Sequence, residues 1–385
     1  MRPVVLLFLG VLGGCGFQIT AGPPDGSEVD AATPADVSPE APPPGTWLAG
    51  YDFRKKITFT SGTTTLANFV AAVVIPVDAD LASNARDDGS GFEFTGPDQL
   101  THLDFEIERF DGASGALAAW VRIDSFTPTS EVYLYYGGDP IDAQDGAATW
   151  PAARYGAVWH LTDPQANVAR DSTPNALALT APAANNAPVL VDEGIVGRAR
   201  GYDGTDDTLQ RDGTTSAPLT HGTSSYSYGA WVFVTSSQTM YDMVFYKGGA
   251  SANDPGYDLE LGTGAWTGYL CDGNQNIIGA TFGQEAALLN RWVHLVAVVD
   301  RASQRFRLYL NGTEVAAPSI SAVGSTTSSM TVALGRAQYP IRGTIDEMRV
   351  YKSALTPQWI GAEYRNLAPT TRDAFRTVGA QEPRP

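Results

Sequence analysis

Paired carboxylates are the first chemistry to seek in this chain, which carries 42 acids against 25 lysines and arginines. Asp258 and Glu260 alternate in one predicted strand, and Asp104, Glu106 and Glu108 alternate in another. Retaining glycoside hydrolysis needs two carboxyl groups about 5–5.5 Å apart. Such enzymes set them at alternate strand positions in a Glu-x-Asp-x-x-Glu string or a close variant, and no such string occurs. Alternation is also how any strand presents a solvated face, and both sets are read that way. Four histidines, His102, His160, His221 and His294, show neither HExxH nor a paired zinc spacing. His160 and His294 lie close to tryptophans and read as packing residues. Gly-x-Ser-x-Gly, P-loop and dinucleotide-binding patterns are missing too. The expectation is a protein without catalytic activity.

Binding is what remains, and a flat ring covering the apolar face of a sugar is its usual instrument. Trp266 and Tyr269 stand in a loop-rich stretch and are the predicted ligand-binding residues, with Tyr241 and Tyr257 behind them. Trp231 and Trp292 sit in strongly apolar strings and read as core.

The elements that position such a site follow an export signal. Arg2, the apolar stretch Val4 to Leu12 and the small residues before Cys15 have the layout of a bacterial lipoprotein signal, too short for a spanning helix. Residues 1–14 are the predicted signal peptide and Cys15 the lipidation site; an ordinary secretory signal is the alternative. Stable anchoring takes two acyl signals or more, and Gly16 resembles the residue of lipoproteins sorted to the outer membrane. Between Gly16 and Thr46 stand seven prolines and five acids with no lysine or arginine, so residues 15–46 are a predicted disordered tether. With Cys15 lipidated, Cys271 has no partner and reads as a small core residue. Residues 47–150 carry 16 acids against 6 bases and residues 151–385 carry 21 against 18. That balance excludes nucleic acid as a partner and leaves the membrane to the lipid alone.

From Trp47 onward the chain is a succession of short β-branched and aromatic runs separated by Gly, Pro, Asp and Ser. Asn311-Gly312 and Asp272-Gly273 supply hairpin turns, and Pro357 to Tyr364, introduced by Thr356, is the one helix expected. The fold class is all-β, with two β-sandwich domains at 47–150 and 151–370 and a C-terminal tail at 371–385.

Residues 47 to 140 resemble the DUF2341 family of bacterial surface proteins. The resemblance rests on Tyr51, Arg54, Lys55, Ile57, Asp87-Asp88-Gly89, Phe94, Phe105-Glu106-Ile107-Glu108, Ala119-Trp120-Val121-Arg122-Ile123 and Tyr133-Leu134-Tyr135-Tyr136-Gly137-Gly138. Residues 155 to 365 resemble a LamG, concanavalin A-like jelly roll through Val158-Trp159-His160-Leu161, Arg170-Asp171-Ser172, Tyr202-Asp203-Gly204 with Asp206-Asp207, Tyr228-Gly229-Ala230-Trp231-Val232, Trp292-Val293-His294-Leu295, Leu308-Tyr309-Leu310-Asn311-Gly312 and Gly343 to Tyr351. The second resemblance implies a structural Ca²⁺ held by Asp346, with Asp171 and then Asp203 as further carboxylates. Otherwise Asp346 only accepts backbone N–H bonds. It also implies recognition or adhesion at the bacterial cell surface, with a glycan or a surface protein as ligand. The alternatives are a structural envelope protein and, last, a glycoside hydrolase.

Overall fold

A computed structural model describes residues 47–60, 64–139, 142–237, 241–249, 251–262 and 264–385. Cys15, the signal and the tether lie outside the described residues. Every strand pairing among the described residues is antiparallel, and the strands fall into four sheets stacked as two sandwiches. Among the described residues no helix is long and apolar enough to cross a membrane.

The first sandwich packs a three-stranded sheet against a four-stranded one. Leu66–Ile75 is a near-continuous apolar run rather than an alternating one, the pattern of a strand covered on both faces. One side belongs to the sandwich core with Ile57, Phe94 and Leu134. On the other lies the helix Pro357–Leu367, whose Trp359 meets Phe69 edge-on at 5.2 Å. Thr356 caps that helix by accepting the N–H of Trp359, and Pro357 opens it with a φ suited to the first turn. The four-stranded sheet is completed from the far end of the sequence. Residues 371–385 are not a tail: Arg376–Pro383 forms a strand antiparallel to Phe53–Phe59, and the short helix Arg372–Phe375 before it plugs Phe375 into the core beside Phe59 and Phe126. The segment reads as a tail because an edge strand with Gly379 and Pro383 has no apolar period.

The second sandwich consists of two eight-stranded sheets. One carries Tyr226–Val234, Trp292–Asp300 and Arg342–Tyr351 at its centre, the other Asp242–Lys247, Gly256–Leu261 and Ala265–Cys271. Alternate residues of each enter a shared core, among them Tyr228, Val232 and Leu295 facing Leu259, Trp266 and Leu270. Asn311 and Gly312, both at positive φ, close the Arg305–Leu310 to Thr313–Ala316 hairpin, and Asn311 Oδ1 accepts the N–H of His294. Cys271 is a buried free thiol whose pKa burial raises.

The two sandwiches meet across a layer that is apolar at one side and charged at the other. Trp231, Val296, Val298 and Tyr309, on the outer face of the first of these large sheets, share one apolar cluster with the helix and the first sandwich. Beside it, Glu106 and Glu108 do not form a solvated face. Their strand turns them toward the second sandwich, where Glu106 Oε2 accepts Trp150 Nε1–H at 2.6 Å and Oε1 accepts Ser172 Oγ–H at 2.8 Å. Glu108 Oε2 accepts Trp120 Nε1–H at 2.9 Å. His160, far from being an inert packing residue, lies with Nδ1 2.8 Å from Glu347 and Nε2 3.4 Å from Glu106. Arg349 donates to Glu347 at 2.6 Å, approaches Glu363 at 3.5 Å and lies 4.4 Å over the ring of Trp120. Burial opposes the charge on His160, but the carboxylates of Glu347 and Glu106 overcome it and hold its pKa well above the ordinary value. Burial, reinforced by Glu347, pushes Glu108 well up.

Candidate functional site

With one large sheet's outer face turned to the first sandwich, the outer face of the other is the wide surface left for a ligand. Its geometry follows from the two-residue period of a strand. Thr180, Gln210, Ala333, Tyr246, Asp258, Tyr269 and Gly279 are successive cross-strand partners, a single row running over seven strands. Met243, Glu260, Thr267 and Thr281 make a second row beside it.

Tyrosines and one arginine dress these rows. Arg336 lies 4.0 Å over the ring of Tyr246 and 5.4 Å from that of Tyr339, and Tyr339 meets Tyr241 edge-on at 5.9 Å. Tyr241 is exposed and Tyr269 half-buried, its ring close over Gly279 where a Cβ would come within 2.4 Å. Tyr246, Gln210, Arg336, Gln338 and Asn186 line a cavity of about 360 Å³. A second cavity of about 750 Å³ shares Gln210, Pro182 and Thr331 with it and continues past Thr180 and Arg211. Both lie in the size range of small-ligand sites.

Two acids are buried in this face. Asp258, fully buried, accepts the N–H of Tyr269 on Oδ1, at 3.2 Å, and its Oδ2 has no hydrogen-bond partner among the described residues. Burial, then the neighbouring Glu260, pushes its pKa well up. Burial alone raises Glu260 to about 7. Their alternation therefore marks a covered pair rather than a solvated strand face.

The residues singled out from sequence separate sharply. Trp266 is fully enclosed in the core between the two large sheets and is not a stacking platform. It pairs with Leu261 while Tyr269 pairs with Asp258, so the two rings lie on opposite faces of one sheet. Tyr257 is core as well, and Tyr269 and Tyr241 are on the outer face. Asp346 is buried, and both its oxygens are taken by donors: Ile195 and Val196 N–H reach Oδ2 at 2.7 and 3.2 Å, and Glu347 N–H reaches Oδ1 at 2.9 Å. Asp171 likewise accepts from Val158, Thr173 and Leu177 N–H and from the Thr173 hydroxyl. Carboxylates so filled with N–H donors tie turns to strands and do not present oxygens to calcium.

Asp203 fits a cation better, with Asp206 and Asp207 as companions that sequence reasoning placed in the family string but not among the metal ligands. One oxygen each of Asp203, Asp206 and Asp207 lies within 4.8 Å of the others, a group that could hold a metal ion. Single oxygens of the three accept from Thr205 N–H, Asn186 Nδ2–H and Asp203 N–H. The second oxygen of each has no protein donor among the described residues. Asn186 joins this loop to the cavity it also lines.

Residues 203–361 match the family model described as the concanavalin A-like lectin/glucanases superfamily, and the second sandwich has the form of a concanavalin A-like jelly roll. No curated protein matches the chain. Among solved structures, the binding domain of Paraclostridial Mosquitocidal Protein 1 is similar at 14% identity and TM-score 0.46, covering 56% of this chain and 52% of that one. The botulinum neurotoxin serotype D binding domain is similar at 13% identity and TM-score 0.46, covering 57% and 52%. The chain thus spans about half the length of each.

The raised pKa of Glu260 carries a sign. Between about pH 4.5 and 7 the unfolded chain has released this proton and the folded chain keeps it, so stability falls as pH rises through that window. Glu260→Gln should match the parent near pH 4.5 and exceed it by ~1–3 kcal/mol at pH 8. Denaturant midpoints across pH check this; parallel profiles would contradict it.

Proposed function

We propose that this protein recognises glycan chains without chemistry, through the outer face of its concanavalin A-like domain. The observation that carries the reading is the row Gln210–Tyr246–Asp258–Tyr269 beside two joined cavities. Gln210, Gln338, Asn186 and Arg336 supply fixed donors and acceptors, and Tyr241, Tyr269 and Tyr339 supply rings for the apolar faces of sugars. An elongated pair of cavities suits several linked residues better than one. A cation at Asp203, Asp206 and Asp207 would brace the Asn186 rim of the site, contributing oxygen coordination of the calcium kind.

The wider setting belongs to the same proposal. Cys15 carries lipid, residues 16–46 form the tether, and the binding face is displayed on a bacterial envelope, the outer membrane or cell surface. The first sandwich is a DUF2341-like module that holds the lectin domain away from that surface. Metabolic labelling with a fatty-acid probe should mark the parent and not Cys15→Ser. Equal labelling would remove the anchor.

Glycan hydrolysis is the second reading, favoured by the buried Asp258–Glu260 pair, since a general acid needs a raised pKa. Both carboxyls are raised, however, and a retaining pair needs one of them ionised as nucleophile. A glycan array on residues 47–385 tests the main reading. Binding should fall at least tenfold in Arg336→Ala and Tyr269→Ala with the fold intact. Trp266→Ala should instead lower stability by ~3–5 kcal/mol, the usual cost of emptying a core site. Undiminished binding in both face variants would overturn the assignment, and release of reducing sugar lost in Glu260→Gln would establish the second reading.

A further inference from the structure

The charged layer between the sandwiches holds more carboxylate than its cations match. Glu106, Glu108, Asp346, Glu347 and Glu363 gather there around His160 and Arg349, with Arg200 and Arg154 acting on Asp346 and Glu363 from the flanks, five carboxyl groups to four cationic ones among the described residues. Burying such an excess without further positive charge is costly. From these positions we infer a transition-metal site, of the zinc class, formed by His160 Nδ1, Glu347 and Glu108 at the junction of the two sandwiches.

Distances carry the inference. His160 Nδ1 is 2.8 Å from Glu347 Oε1 and 3.8 Å from Glu108 Oε2. Zinc holds nitrogen and carboxylate oxygen at about 2.0–2.2 Å in tetrahedral geometry, which sets donor atoms roughly 3.3 Å apart. The observed separations bracket that value, and shifts of about half an ångström would equalise them. One oxygen of Glu108, one of Glu347 and one ring nitrogen of His160 all lie within 4.8 Å of one another. The Glu108 side chain is fully buried, yet its Oε1 has no hydrogen-bond partner among the described residues.

The groups behind these donors have the arrangement expected of an outer shell. A metal-bound imidazole turns its other N–H to a carboxylate. His160 Nε2 makes no hydrogen bond but stands 3.4 Å from Glu106 Oε2, which Trp150 Nε1–H and, through the other oxygen, Ser172 hold in place. Arg349 holds the remaining oxygen of Glu347, and Trp120 Nε1–H orients Glu108. Glu347 sits at a positive φ of 51°, a strained backbone for a residue other than glycine. Glu108 also lines a cavity of about 410 Å³ with Thr162, Arg198 and Gly112. One imidazole and two carboxylates offer too few oxygens for calcium and suit zinc.

The test uses the full chain, stripped of metal and then given Zn²⁺. We expect one zinc per chain retained through dialysis, and affinity at least tenfold lower in both His160→Gln and Glu108→Gln. Glu108→Gln keeps an acceptor for Trp120 and preserves shape, so it should fold even if His160→Gln does not. Asp206→Asn should leave zinc binding unchanged, separating this site from the acidic loop. Zinc-edge anomalous scattering from a parent crystal should place the ion about 2.1 Å from His160 Nδ1. No retained zinc, retention unaltered in Glu108→Gln, or an anomalous peak elsewhere would each overturn the inference.

Discussion

Everything in this molecule depends on how the Arg342–Tyr351 strand buries charge. Its inward residues Ile345, Met348 and Val350 enter the jelly-roll core, while Glu347, Arg349 and Tyr351 turn to the other face and meet Glu106, Glu108, His160 and Glu363. Charges in such a place are tolerated only when partnered and hydrogen-bonded, and removing one partner typically costs ~3–5 kcal/mol. The geometry of the partners therefore sets how the sandwiches meet. Arg349 lies over Trp120 and near Trp150, and His160 stacks on Trp120 at 5.4 Å and lies tilted to Trp150 at 5.3 Å, so slippage would leave cations and carboxylates uncompensated.

This constraint decides where a ligand can bind. A jelly roll has two outer faces, and here one is spent on the helix Pro357–Leu367 and the first sandwich. On the other face the row from Thr180 to Gly279 leaves Thr180, Gln210, Tyr269 and Gly279 exposed or half-buried at its two ends, around a covered centre of Ala333, Tyr246 and Asp258. The returning strand Arg376–Pro383 acts in the same sense, because it crosses from the jelly roll to close the first sandwich against Phe53–Phe59. By its contacts the described chain falls in one compact unit.

Much of this architecture was legible in the residues. Period-two apolar runs located the long strands, Asn311-Gly312 marked its hairpin, and Thr356-Pro357 marked the helix start, which continues three residues past Tyr364 to Leu367. Two-residue strands such as Val168–Ala169 and Leu179–Thr180 carry no period and were invisible, as was Arg376–Pro383, whose partner lies at the other end of the chain. Trp266 was misplaced although its spacing held the answer: residues three apart in a strand lie on opposite faces, so Trp266 and Tyr269 could not share a ligand. Asp258–Glu260 and Glu106–Glu108 were visible as alternation, but alternation does not say whether water or protein covers the charged face. For Glu347 and Arg349 the signal was there: ionised residues inside the apolar string Ile345 to Tyr351 need buried partners.

The central claim is that buried charge and the returning strand fuse two sandwiches into one cooperative body, leaving one sheet face for the ligand. Scanning calorimetry of residues 47–385 tests it most directly. A single transition, with calorimetric and van't Hoff enthalpies in agreement, is the predicted result. Two resolved transitions, one for each sandwich, would contradict it.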